Sequence, residues 1–126
     1  MRFIVITGGA QDADALTAEY ASARAFGTTR VGARHLFFCK GLRVCAAAYA
    51  GLARCYRRVM LVPARLCCGR GDLELECLVL ENDQGELAQI QLPGRKAAVA
   101  ALEEIRKHAP SLETRCPDKA RKEVRA

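Results

Sequence analysis

The chain has no tryptophan, and aromatic residues make up only 6% of its 126 positions. A platform that binds nucleic acid by stacking bases on rings has little to draw on. There are seven cysteines but no Cys-x-x-Cys spacing, and the two histidines, His35 and His108, stand far apart. Structural zinc asks for four convergent ligands that usually arrive as two close pairs, so no metal centre is read here. The longest apolar runs, such as Val44 to Ala50, fall well short of the roughly 20 residues that a membrane-spanning helix needs. No P-loop, Ser/His/Asp set or catalytic pair of carboxylates can be assembled, and no cofactor is expected. Residues 1–7 hold too few apolar side chains for an export signal and read as a strand instead.

The most telling absence is of acid. Between Tyr20 and Gly71 there is no Asp or Glu, but there are ten basic residues. The overall charge is +6, concentrated in this block. A field of one sign can attract nucleic acid, acidic lipid headgroups or an acidic partner. Its candidate contact residues are Arg54, Tyr56, Arg57 and Arg58, with Arg65 and Arg70 further along. On a strand, Arg54, Tyr56 and Arg58 share one face while Arg57 lies opposite. The competing reading is that these arginines pair with acids from flanking segments, for which Glu74, Glu76, Glu81 and Glu86 are available.

An odd number of cysteines without an export signal implies reduced thiols in the cytoplasm, where most act as small buried hydrophobes. The adjacent Cys67-Cys68, flanked by Arg65 and Arg70, is the exception to weigh. A thiolate is favoured near positive charge, and His35 could reach it through the fold as a base. A structural loop is the simpler reading. Ile6-Thr7-Gly8-Gly9-Ala10 resembles the opening of short-chain dehydrogenases, but no glycine follows from Gln11 to Phe26, and Asp12 and Asp14 would repel a phosphate. A glycine turn after a strand suffices.

Hydrophobic residues make up 51% of the chain and charged residues 27%, an ordinary globular balance for a single domain. Residues 2–7 read as a strand, and a helix capped by Asp12 or Asp14 runs through Arg24 to a stop at Gly27. Val31 to Lys40, Leu42 to Tyr49 and Arg54 to Leu66 read as strands, with residues 67–72 a loop. Leu73-Glu74-Leu75-Glu76-Cys77 alternates apolar and acidic, which predicts a strand with one wet face. It turns at a four-residue connection, Asn82-Asp83-Gln84-Gly85, into a returning strand over 86–92. A helix over Arg95 to Ala109 stops at Pro110. Residues 1–112 form the expected domain, and 113–126 a charged, flexible tail.

This order of elements resembles bacterial pleckstrin-homology-like domains of small intracellular proteins. The resemblance rests on residues 35–42 (HLFFCKGL), residues 49–58 (YAGLARCYRR) and the 73–92 hairpin, and it covers about 28–110. It implies an α+β fold: a strongly bent antiparallel sheet or partly open barrel, capped by the C-terminal helix. The N-terminal strand and helix are then additions. It also implies a non-catalytic interaction or assembly domain whose partner is a protein, including a second copy. The alternatives are an anion binder for nucleic acid or acidic headgroups, and, third, a thiol enzyme or metal site.

Overall fold

The computed structural model describes residues 2–9, 12–63 and 72–116. It is an α+β fold with eight strands and two helices in these residues. The strands are β1 (Phe3–Thr7), β2 (Arg24–Phe26), β3 (Thr29–Val31), β4 (His35–Lys40), β5 (Arg43–Ala48), β6 (Arg54–Pro63), β7 (Asp72–Asn82) and β8 (Gly85–Leu92). Helix α1 is Ala13–Ser22 and α2 is Arg95–His108. Instead of one bent antiparallel sheet or barrel there are two sheets, one of five strands in the order β1-β5-β4-β3-β2 and one of three in the order β6-β7-β8. The larger sheet is mixed, because β1 runs parallel to β5.

The reason lies in β5. Its residues from Cys45 to Ala48 are all buried, so both of its faces must be covered. On one face Phe37 and Ala46 pack with Leu16 of α1, while Phe3, Tyr20 and Val44 surround them. The rings of Phe3, Tyr20 and Phe37 form a triangle with centroids 5.3–5.7 Å apart. On the other face Leu36, Phe38, Cys45 and Ala47 join the main core with Cys55, Leu78, Leu80, Ile90 and α2 residues Ala98, Leu102 and Ile105. Strand β1 and helix α1 are therefore integral to the fold. A run of three alanines favours helix by propensity, but here small side chains suit a strand that is dry on both sides.

Three expected boundaries move. The first helix ends at Ser22, not Arg24, because Arg24–Phe26 pairs with Thr29–Val31 and carries Phe26 into the core. Gly27, at φ +66°, belongs to the tight turn of that hairpin. The single strand expected over Val31–Lys40 is split, with Gly32 N–H donating to His35 O at 2.9 Å across a turn. The connection after β7 has two residues rather than four, closed by Gln84 N–H donating to Asn82 Oδ1 at 2.8 Å. The stretch 64–71 lies outside the described residues, including the end of the strand expected to reach Leu66 and the Cys67-Cys68 loop. At the C-terminal end, Leu112 is buried and Glu113 O accepts from Cys55 N–H at 2.9 Å.

Two buried protons make this core sensitive to alkali. Burial pushes the Cys55 thiol from 9.0 up to about 12. Burial, then the nearby Glu19 carboxylate, pushes the Tyr49 phenol far above its ordinary range. The folded state thus holds both protons more tightly than the unfolded chain, so their contribution is complete below pH 9 and fades as pH climbs from there. Urea unfolding midpoints are expected to be level between about pH 7 and 8.5 and to fall steadily above about pH 9.5. A level midpoint to about pH 11 would contradict this.

Candidate functional site

Sheet pairing decides what the arginine-rich strand can do. β6 pairs antiparallel with β7 so that Arg54 faces Glu81, Arg57 faces Leu78 and Val59 faces Glu76. The basic block of the sequence is thereby laid against the acid-rich one. Arg54 sits 3.7 Å from Glu81, Arg57 Nε donates to Glu76 at 2.6 Å, and Arg58 reaches Glu86 at 3.1 Å. Arg24 likewise meets Glu104 at 3.4 Å.

Arg54, Tyr56 and Arg58 do share one face of β6, with Arg57 on the other, as alternation requires. That face is not an open row of three groups. Tyr56 is 1% exposed, packed on Val79, with its hydroxyl donating to Glu81 Oε2 at 2.8 Å. Burial, then the bond to Glu81, raises the Tyr56 phenol. Arg58 lies across this pair, donating to Gln89 Oε1 at 2.8 Å and to the Tyr56 hydroxyl at 3.1 Å. Arg65 and Arg70 lie outside the described residues. The strand is therefore a self-neutralised surface over its described length.

Glu76 departs from the wet face expected of the alternating segment. It is 7% exposed and shares its face with Leu78 and Leu80, which are core. Alternation fixes which residues share a face, whereas the presence of Arg57 on the neighbouring strand makes the inner face tolerable for an acid.

A second feature lies beside the larger sheet. The turn between β3 and β4, the short helical turn Tyr49–Gly51 and the end of α2 border an open cleft of about 530 Å³. Its wall includes Gly8, Arg34, His35, Tyr49, His108 and Ser111. His35, 4% exposed, is held by Glu19 of α1: Nδ1 lies 2.9 Å from Glu19 Oε1. Glu19 Oε2 accepts the backbone N–H groups of Arg34 at 2.9 Å and His35 at 2.7 Å. The glycine at 32 makes room for this carboxylate, since a Cβ there would meet Oε2 at 2.5 Å. His35 Nε2 is buried without a hydrogen-bond partner. By sequence His35 is a candidate only as a base for Cys67-Cys68, which lie outside the described residues. The Glu19–His35 contact joins a helix to a turn, and no spacing rule reveals it.

Cys39, Cys45, Cys55 and Cys77 carry thiols that are not in disulfides. Burial raises Cys45, Cys55 and Cys77, which makes them poor nucleophiles at neutral pH. No group of three or more His, Cys, Asp or Glu poised for a metal occurs among the described residues. Comparison with protein-family models, curated proteins and solved structures finds no match.

The Arg57–Glu76 pair sets a measurable stability. Glu76→Ala leaves a partly buried guanidinium without its carboxylate and is expected to cost about 2–4 kcal/mol in chemical denaturation. Replacing both partners by apolar residues, Arg57→Met with Glu76→Leu, is expected to recover most of that loss. A double variant as unstable as the single one would refute the pairing as the cause.

Proposed function

We propose that this is a non-catalytic interaction domain that assembles with a second copy of itself through the free edge of β6. The observation that carries the reading is the state of that edge. β6 is a ten-residue edge strand, and Cys55 N–H is its one backbone group bonded away from β7 among the described residues. By alternation the N–H and C=O groups of Arg57, Val59 and Leu61 point the same way. Cys55 is occupied by Glu113, and Pro63 has no N–H to offer, so the free edge runs over 57–61. An unpaired edge of this kind is a template for another strand.

Antiparallel pairing of two copies about Val59 places Arg57 opposite Leu61 and Arg58 opposite Met60. No cation then faces a cation across the seam. The antiparallel meander β3–β5, the three strands β6–β8 and α2 packed against both sheets support the pleckstrin-homology-like reading of residues 28–110. The free thiols support a reducing, cytoplasmic setting. Analytical ultracentrifugation is expected to show a dimer of the 13.7 kDa chain at about 100 µM. Val59→Pro removes an outward N–H without touching the β6–β7 ladder, so it is expected to give a folded monomer. A monomeric natural chain, or a dimer untouched by Val59→Pro, would overturn the reading.

One observation favours the anion-binding alternative at a different place. The β4–β5 hairpin ends in Lys40-Gly41-Leu42-Arg43, where Leu42 is fully exposed and neither cation has an ion pair among the described residues. A bare leucine between two cations suits an acidic lipid surface. No helix in the described residues is long and apolar enough to cross a membrane. Under this reading, vesicles containing phosphatidylserine retain the protein at low salt and release it on adding salt. Lys40→Glu with Leu42→Ser is expected to reduce retention at least about fivefold. Retention that ignores both salt and these substitutions would dismiss it.

A further inference from the structure

We propose that the outer edge of β8 takes up an extended peptide segment of a protein partner, paired antiparallel, with apolar residues and one acid on the face turned to the core. The first observation is the edge itself. β8 ends the three-stranded sheet on the side away from β6, so this surface is separate from the dimer edge. Cys55 N–H points away from β7, so Tyr56 and Arg58 bond to Val79 and Cys77 across the ladder. The intervening residues of β7, Leu78 and Leu80, then bond to Ile90 and Ala88, which leaves Gln89 and Gln91 with their N–H and C=O groups turned outward. Neither has a backbone bond on that side among the described residues. Outward groups recur every second residue, about 7 Å apart, a spacing that another strand matches and a small molecule does not.

The second observation is what lies beside that edge. A cleft of about 280 Å³ runs between the two sheets, bordered by Ala88, Gln89, Ile90 and Gln91 on one side and by Phe38 and Lys40 of β4 on the other. Phe38 and Ile90 belong to the main core and Ala88 packs against it, so the cleft is an open mouth of that core. Its size suits the inward side chains of an added strand better than a whole metabolite. Lys40 follows Phe38 on the same face of β4 and faces Arg43 across the ladder to β5. Two cations directly opposite each other repel, and neither has an ion pair among the described residues. An acid two residues from an apolar one in the incoming strand answers both the cations and the open core. The β8 strand of a second copy does not, since it brings only Ala88, Ile90 and Leu92 to that face.

The test titrates the full isotope-labelled chain with the acetylated and amidated peptide Thr-Val-Thr-Val-Thr-Asp-Thr, whose valines and aspartate share one face when extended. In the free chain the amides of Gln89 and Gln91 are expected to exchange with solvent at least about tenfold faster than those of Ala88 and Ile90. On titration the Gln89 and Gln91 signals are expected to shift and saturate at about millimolar affinity or better. The signals of Arg57, Val59 and Leu61 report the β6 edge separately and are expected to stay in place. Lysine for aspartate in the peptide, or Lys40→Gln in the protein, is expected to weaken binding at least about threefold. N-methylation of the second and third threonines removes the donors that face β8 and is expected to abolish binding. The inference falls if the peptide leaves Gln89 and Gln91 unmoved to about 10 mM, or if its N-methylated form binds as well. It also falls if the charge changes have no effect, or if the Gln89 and Gln91 signals move on diluting the chain without peptide, which would seat a second copy there.

Discussion

Strand β5 has no wet side, and the rest of the structure is arranged around that fact. With Cys45 to Ala48 buried, one face needs the main core and the other needs a cover of its own. Helix α1 supplies that cover through Leu16 and Tyr20, and β1 closes the strand's open edge. The N-terminal unit is thus structural, although nothing in residues 2–26 alone reveals its partner. Seating α1 there also brings Glu19 to the turn before β4, where it accepts three hydrogen bonds from Arg34 and His35. The packing of a strand and the poise of a histidine therefore depend on the same helix.

The charge distribution shows how far sequence order and spatial order diverge. A block without acid looks like a basic surface, yet antiparallel pairing sets β6 against β7 and β8, where acids are plentiful. Arg54, Arg57 and Arg58 each find a carboxylate there. Of these pairs, Arg57–Glu76 has the most structural weight, because its carboxylate is almost wholly removed from water. The more exposed pairs contribute little to stability and chiefly cancel the field. Among the described residues, cations without an ion pair include Arg34 at the cleft, and Lys40 and Arg43 at a hairpin tip.

Much of the fold was legible where periodicity or punctuation is local. The 73–92 hairpin follows from alternation around a turn-forming Asn-Asp-Gln-Gly, and α2 from its stripe of Ala98, Leu102 and Ile105 before Pro110. The division of residues 28–40 into two strands was not legible, because Gly32 reads as an ordinary strand residue until Glu19 is seen to need its space. That the arginines could pair with Glu76, Glu81 and Glu86 was legible, but which arginine meets which acid was not, since strand register lies beyond single-strand patterns. The Glu19–His35 contact was not legible either, because it joins a helix to a turn sixteen residues further along the chain.

By itself the sequence determined the α+β class, the strand that would lie between Gly41 and Gly51, the acidic hairpin and the closing helix. These depend on side chains a few residues apart, and the chain carries that information directly. Only the tertiary structure decided that β1 lies parallel to β5, that Glu76 is buried beside Arg57, and that a helical carboxylate fixes His35 at a cleft. Those outcomes depend on which faces must be kept from water at once. That requirement is met by the whole fold, between residues whose separation along the chain carries no signal.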